Sequence, residues 1–409
     1  MWPILKQTTW LFCAQIFTRI ISFFYTIYLA RTLGISDFGL FTVAMVYFSL
    51  GSSISDFGFN RFFIREVARD SKKMEELLFN VSFLRLMATT GMFLFFAAIL
   101  YLFDPDRVRT NLILIGVMAV IPQSVGQTLD AVFVALRRLQ VSAVSLLIVS
   151  LTTATVGFVL VTKGYGPFGA ITALLIGQVA YLLVLGLFLE KWHAKIISSI
   201  KLSVLKKITL GALPYGILGV MGLLYFRLDT ILLSYMRGNY ETGIYGAAYR
   251  FLEAIVFIPI AYSSALFPVL SKLHDGHIDQ VKKLYISSVK LMGILGLLVV
   301  LGYILILPWL IRYFLPGYIE ALNIVIILSL AIPFMFLHVP AVQVLFSTDK
   351  YLKWVIGLSF ITLGFNLVAN LLFIPVYGLY AAAWITTLSE ALSFLVFFIF
   401  VKIKILDKT

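Results

Sequence analysis

The sequence holds a single cysteine, Cys13, so no intramolecular disulfide can form and nothing ties the chain to an oxidising or a reducing compartment. Charge is scarce too. Asp, Glu, Lys and Arg together make up 12% of the 409 residues, against about a quarter in soluble domains. There is no Walker sequence, so ATP-driven transport by this chain alone is not expected. No Ser/His/Asp or Cys/His constellation stands out. HDGH at 274–277 offers two imidazoles without an evident third ligand, and it reads as a solvated loop rather than a metal site. GYGPFG at 164–169 has the lettering of a dinucleotide fingerprint but follows no strand, and it reads as a turn. Period-2 alternation is missing from the apolar runs, which argues against a β-barrel.

What is present is apolar residue, 61% of the chain, with a mean hydropathy of +1.02. A crossing of the hydrocarbon core takes roughly 20 mostly apolar residues. Unpaired backbone groups are not tolerated in lipid, so the crossings must be helices. The runs predict an all-α polytopic membrane protein with twelve helices, at about 9–33, 38–60, 77–103, 111–136, 139–162, 166–189, 208–235, 242–270, 285–310, 319–345, 352–375 and 378–401. The first run has no short apolar core with a small-residue cleavage site after it, so it is expected to stay as a span.

The net charge of +13 is explained by topology. Arg61, Arg65, Arg69, Lys72, Lys73, Arg137, Arg138, Lys206, Lys207, Lys282, Lys283, Lys402 and Lys404 all fall in alternate loops, on the side that also holds the N-terminal Lys6. The opposite loops carry only Arg31, Arg107, Arg109, Lys163, Arg237 and Arg312. Basic residues favour the cytoplasmic face, which places both termini in the cytoplasm of a multi-pass plasma-membrane protein. No nucleic-acid partner is implied. The longest connection on that side, 190–207, spaces Ile196, Ile197, Ile200 and Leu205 among lysines, the pattern of a helix lying on an anionic leaflet. It is expected to link an N-terminal six-helix lobe at 1–190 to a C-terminal one at 208–409, with the linker at 191–207.

The two halves echo each other. LGISDFGLF at 33–41 returns as RGNYETGIY at 237–245, so that Gly34 matches Gly238, Asp37 matches Glu241, Gly39 matches Gly243 and Phe41 matches Tyr245. The glycines suit a tight turn between the first and second helices of each half. YGPFGA at 165–170 is likewise echoed by YGLYAA at 377–382. Six helices return the chain to its starting side, so the halves are parallel repeats. Such repeats place a substrate site between them for alternating access.

ARTLG at 30–34, FGLF at 38–41, SDFGF at 55–59, RLDTILL at 227–233, GIYGAAYR at 243–250 and LFPVLSKL at 266–273 give the chain a further character. In their order and in the two six-helix halves, they resemble the polysaccharide-biosynthesis flippases of the multidrug, oligosaccharidyl-lipid and polysaccharide exporter superfamily. The resemblance covers nearly the whole chain. It implies movement of a polyprenyl-diphosphate-linked oligosaccharide or polysaccharide repeat unit to the outer leaflet. The partners implied are that lipid-linked oligosaccharide and the membrane lipids, with a polysaccharide polymerase or glycosyltransferases beside them. It also implies that Arg250 corresponds to a cavity arginine, and that Asp229 is the recurrent acid of the seventh helix, with a structural or gating role.

The spans contain charges that need partners or water, because a charged side chain at mid-bilayer costs at least about 2.5 kcal/mol. Arg19, Arg85, Arg227 and Arg250 are the candidate substrate contacts, since guanidinium forks match phosphate oxygens. Asp56, Asp130, Asp229 and Glu253 are the candidate coupling or structural acids, and Lys290 and Glu390 also lie within or at the edge of spans. Arg19 is expected either to meet substrate or to pair with Asp56 or Asp130. Arg85 is near enough to one face to snorkel. Arg250 and Glu253, three apart, can meet on one face. Asp229 is expected to reach across to Arg250. No resident cofactor is expected, with sodium or a proton as the coupling ion where there is one. A cation-coupled multidrug exporter of the same superfamily is the alternative. A membrane polysaccharide polymerase fits less well, because no large external loop is present.

Overall fold

The computed structural model describes residues 2–190, 200–273 and 277–407, and among these all regular structure is helical. Isoleucines 196 and 197 of the expected linker helix, and 274–276 of HDGH, lie outside the described residues. The chain groups into two compact units, Met1–Leu224 and Tyr225–Thr409.

The first unit contains α1 (Trp2–Leu33), α2 (Ile35–Asp56), α3 (Phe59–Arg69), α4 (Met74–Phe103), α5 (Arg107–Met118), α6 (Val120–Ala135), α7 (Leu139–Leu160) and α8 (Gly166–Glu190). α9 (Leu202–Met236) follows and runs across the unit boundary. The second unit continues with α10 (Asn239–Leu273), α11 (Ile278–Phe314), α12 (Ala321–Ser329), α13 (Ile332–Phe346) and α14 (Leu352–Val401).

Ten helical stretches are long and apolar enough to cross a membrane. Two of them, Leu139–Leu189 with 51 residues and Leu352–Leu406 with 55, are twice the length one crossing needs. Each is broken by a glycine in a conformation closed to other residues: φ 52°, ψ −139° at Gly166, and φ 58°, ψ −137° at Gly378. Counting each arm gives twelve crossings among the described residues.

The repeat is therefore conformational as well as textual. Gly166 and Gly378, which the sequence aligns, share one left-handed backbone geometry. Gly34 and Gly238 do the same at the earlier echo, with φ 79° and 88°. The turn is confined to these two residues. Gly39 and Gly243 are buried inside α2 and α10, because each helix begins directly after its turn glycine. The echoes also meet within each unit. The Asp37 carboxylate faces Gly166, with Oδ2 3.9 Å from where a Cβ would stand. Glu241 accepts a hydrogen bond from the Leu379 amide at 2.8 Å while it holds Arg237 Nε at 2.8 Å. An acid at the start of one span thus caps the opening turn of another, where a helix N-terminus favours negative charge.

Proline punctuates both halves alike. A proline lacks the N–H for the carbonyl four residues back and clashes with it. α5 ends at Met118, four before Pro122, and α12 ends at Ser329, four before Pro333. The fourth crossing of each half is broken at its own proline.

α3 shows why a polar segment follows the second crossing. Phe57 and Gly58 take left-handed conformations that end α2. The next eleven residues then bury Phe59, Phe62, Phe63 and Val67 against Ile208 and Ala212. Arg61, Arg65 and Arg69 are left exposed on the other side. Glu66 is tied to Lys207 at 3.2 Å.

Candidate functional site

The intramembrane charges fall into separate clusters, one group in each unit. In the second unit, Arg250 and Glu253 lie one helical turn apart on α10 and pair at 2.9 Å, as their spacing allows. The other oxygen of Glu253 holds Arg227 of α9 at 2.5 Å. One carboxylate is therefore shared by two guanidiniums, and the cluster keeps a net positive charge. The side chains of Arg227 and Arg250 are only 20% and 26% accessible. The Arg227 guanidinium also stands 5.8 Å from the centre of the Tyr249 ring, a cation–π distance. Exposed charge pairs are worth little, whereas a half-buried cluster with surplus charge attracts an anion to complete it.

Asp229 does not reach Arg250. It is buried and caged by hydroxyls and an amide: it accepts from Tyr245 Oη, from Thr386 Oγ1 at 3.2 Å and from the Thr230 amide at 2.6 Å. The physical reason is rotation. Asp229 is two residues from Arg227, which turns its carboxylate away from the face that carries the arginines. Sequence reasoning missed the hydroxyl cage, although Tyr245 sits in a repeated segment and Thr386 four residues beyond another. It also missed the chain from Asn370 through Asn366 to Ser389, with both bonds at 3.0 Å. Glu390 is buried on α14, with Tyr225 of α9 beside it, and Tyr225 meets Ser393 at 3.1 Å.

In the first unit Arg85 does not snorkel. Its side chain is 0% accessible and pairs with Asp56, while it donates to the Ser124 carbonyl at 3.0 Å and to Thr128 Oγ1 at 3.2 Å. Arg19 is exposed on α1. Asp130 on α6 lies against Ser142 of α7 and Tyr181 of α8. A further buried pair went unread: Arg109 Nε donates to Asp104 Oδ2 at 2.9 Å.

Two six-span halves, broken at equivalent glycines and prolines and carrying charge inside the apolar region, define an internally duplicated polytopic membrane protein. The solved structures it resembles say which kind. It superposes on the lipid II flippase MurJ in an inward closed conformation with a TM-score of 0.72, at 16% identity, over 96% of this chain and 87% of that one. An outward-facing multidrug resistance MATE family transporter of the MOP superfamily matches with a TM-score of 0.67, at 13% identity, over 98% and 95%. The fold is that of the MOP superfamily. The sequence profile of the polysaccharide biosynthesis protein family matches residues 4–274, and the chain belongs to that family. A probable flippase, AglR of Haloferax volcanii, is 29% identical over 175 residues, which is 41% of this chain. The match spans 36% of that relative's length.

Proposed function

We propose that the chain is a flippase that carries a lipid-linked oligosaccharide, joined to its polyprenyl carrier through a diphosphate, from the cytoplasmic to the outer leaflet by alternating access. The observation that carries this reading is the Arg227–Glu253–Arg250 cluster. Among the described residues no second carboxylate pairs directly with its two guanidiniums, and a diphosphate supplies further negative charge in the bidentate geometry that arginine favours. A cationic drug would be repelled by the cluster's surplus charge. Family membership supports the sugar-polymer context, and AglR, itself a probable flippase, supports the mode of movement. Glycosyltransferases or a polysaccharide polymerase are the partners that this reading implies.

The test is translocation of a fluorescent polyprenyl-diphosphate oligosaccharide in proteoliposomes. Arg250→Ala leaves Glu253 neutralised by Arg227, so the protein is expected to keep its thermal stability. Translocation is expected to fall about tenfold or more, as the loss of one charge-assisted contact of about 1.5–3 kcal/mol implies. Unchanged rates in both Arg250→Ala and Arg227→Ala would remove the reading. The cation-coupled multidrug exporter is favoured by one observation only, the fully enclosed Asp229. It requires sodium- or proton-dependent dye efflux that disappears in Asp229→Asn.

A further inference from the structure

An amphipathic helix at a membrane surface normally sinks its apolar face into the lipid. In α3 that face is covered by protein instead. Phe59, Phe62, Phe63 and Val67 are buried together with Leu129 and Phe133 of α6 and Ile208 and Ala212 of α9. The fit is close: a Cβ on Gly211 of α9 would come within 2.7 Å of the Phe62 ring. Lys207 of α9 also pairs with Glu66 at 3.2 Å. α3 is therefore fixed to its neighbours, and what it turns outward is charge. Arg61, Arg65 and Arg69 are exposed at i, i+4 and i+8, the spacing of one helical face. Lys72 and Lys73 are exposed directly after them.

The neighbouring acids are drawn into local pairs. Glu66 also meets Arg65 at 3.6 Å, Asp70 pairs with Lys73 at 3.2 Å and accepts from the Lys72 amide, and Glu76 of α4 holds Lys201 at 2.6 Å. These pairs bring the start of α9 beside α3 and α4, with Lys201, Lys206 and Lys207 exposed. Over residues 59–76 and 201–207, eight basic side chains stand against four acidic ones, Glu75 being the fourth. The depth of this surface is set by α9. Leu202, Lys206, Leu210 and Leu213 follow one helical face, and the leucines are 81%, 59% and 39% exposed. A lysine among exposed leucines lays its stem on apolar surface and lifts its ammonium to the headgroups. α3 packs on α9 at Ile208 and Ala212, within that same stretch, so its arginines stand at headgroup level.

We propose that the outward face of α3, continued by Lys72, Lys73 and the start of α9, binds the anionic phospholipid headgroups of the adjoining leaflet, the one that the loop charges assign to the cytoplasm. Arginine gives phosphate oxygens charge-assisted bonds, and a basic cluster of this size on a helix beside a span attracts anionic lipid. Because the apolar face of α3 is covered by protein, the contact is electrostatic alone. It depends on the headgroup charge and weakens with salt. The surface is built entirely from the first unit, and it stands whichever substrate the chain carries.

The test uses the full chain in neutral detergent, with phosphatidylglycerol or phosphatidylcholine carrying a fluorophore on the acyl chain. Phosphatidylglycerol is expected to bind about tenfold more tightly or better, and the difference to shrink in about 1 M salt, where the screening length is about 3 Å. Arg61→Gln, Arg65→Gln and Arg69→Gln together are expected to lower the phosphatidylglycerol affinity about tenfold or more. Lysine at the same three positions is expected to keep it, because a headgroup surface reads charge. Lys283→Gln, Lys353→Gln and Lys402→Gln remove as many exposed charges from the second unit and are expected to leave the affinity nearly unchanged. Equal losses in the two glutamine triples overturn a local site, and equal affinity of the parent for the two lipids overturns it outright. An oligoglutamate peptide that binds the parent but not the α3 triple, with phosphatidylglycerol binding kept in both, overturns the lipid in favour of an acidic protein. Unaltered elution and melting establish that each variant is folded. The single arginine substitutions, each expected to cost about threefold, carry the test where a triple is not.

Discussion

Asp56 is the carboxylate that compensates Arg85, and the asymmetry between the two residues makes their contribution measurable. Arg85 is sealed, while the Asp56 side chain is 35% accessible. Asp56→Asn removes the charge that can reach water and leaves behind the one that cannot. Breaking a buried pair from one side costs about 3–5 kcal/mol, whereas replacing both members by apolar residues is often neutral. Asp56→Asn is therefore expected to lower the unfolding temperature in detergent sharply, and Asp56→Leu with Arg85→Met to recover most of the loss. Equal melting of all three proteins would contradict the pair. The sequence revealed the residues of this pair but not the pairing. Arg250 and Glu253 were legible because helical geometry alone joins neighbours three apart. Arg85 and Asp56 are 29 apart, and their meeting depends on how each helix is rotated about its axis. In spans that are apolar all round, hydropathy carries no record of that rotation. The same gap explains why Asp229 was read towards Arg250 when it turns to Tyr245 and Thr386.

At the scale of elements, the breaks were the most legible features, because proline and glycine act through the backbone and need no tertiary partner. Their consequences separate the two glycine kinks. A side chain held in a sparsely populated backbone region such as φ 52°, ψ −139° costs roughly 1–3 kcal/mol, which is all that Gly166→Ala should incur, since Asp37 Oδ2 stands at van der Waals distance. At Gly378 a Cβ would also run into the Glu241 carboxylate, which already holds the Leu379 amide. Gly378→Ala is therefore expected to melt lower than Gly166→Ala, with Gly302→Ala, where nothing lies within 4 Å, unchanged or slightly raised. Melting curves of the three variants decide it. The reverse order of the two kink variants would mean that the Glu241 cap adds nothing.

For the whole molecule, the surface carries the evidence. Ile294, Leu297, Leu298, Leu301 and Leu305 of α11 are all exposed, at the three- and four-residue spacing of one helical face, which in water would be an aggregation site. Here that face is where lipid belongs. This inversion, with apolar residues outside and charges clustered within, is why composition alone indicated the number and type of elements. Lipid asks only that a span be apolar, and that requirement is written in single residues. Orientation rests on the loop lysines and arginines, and it has its own test. Green fluorescent protein fused at either end is expected to fluoresce, because the distribution of basic loop residues predicts both ends on the cytoplasmic side. A dark fusion at one end would overturn the even count of crossings.

The double-length stretch Leu139–Leu189 has one more consequence, for how the protein is made. Between its two arms stand only Lys163 and a few small or aromatic residues, and the backbone reverses at Gly164 and Gly166 without a polar loop. Nothing there would hold the first arm in place while the second is still in the ribosome. The two arms are therefore best delivered to the bilayer as a closed helical hairpin, already paired. The glycines that look like an architectural detail of the finished protein then act first during its synthesis, as the hinge on which two spans fold before either meets lipid.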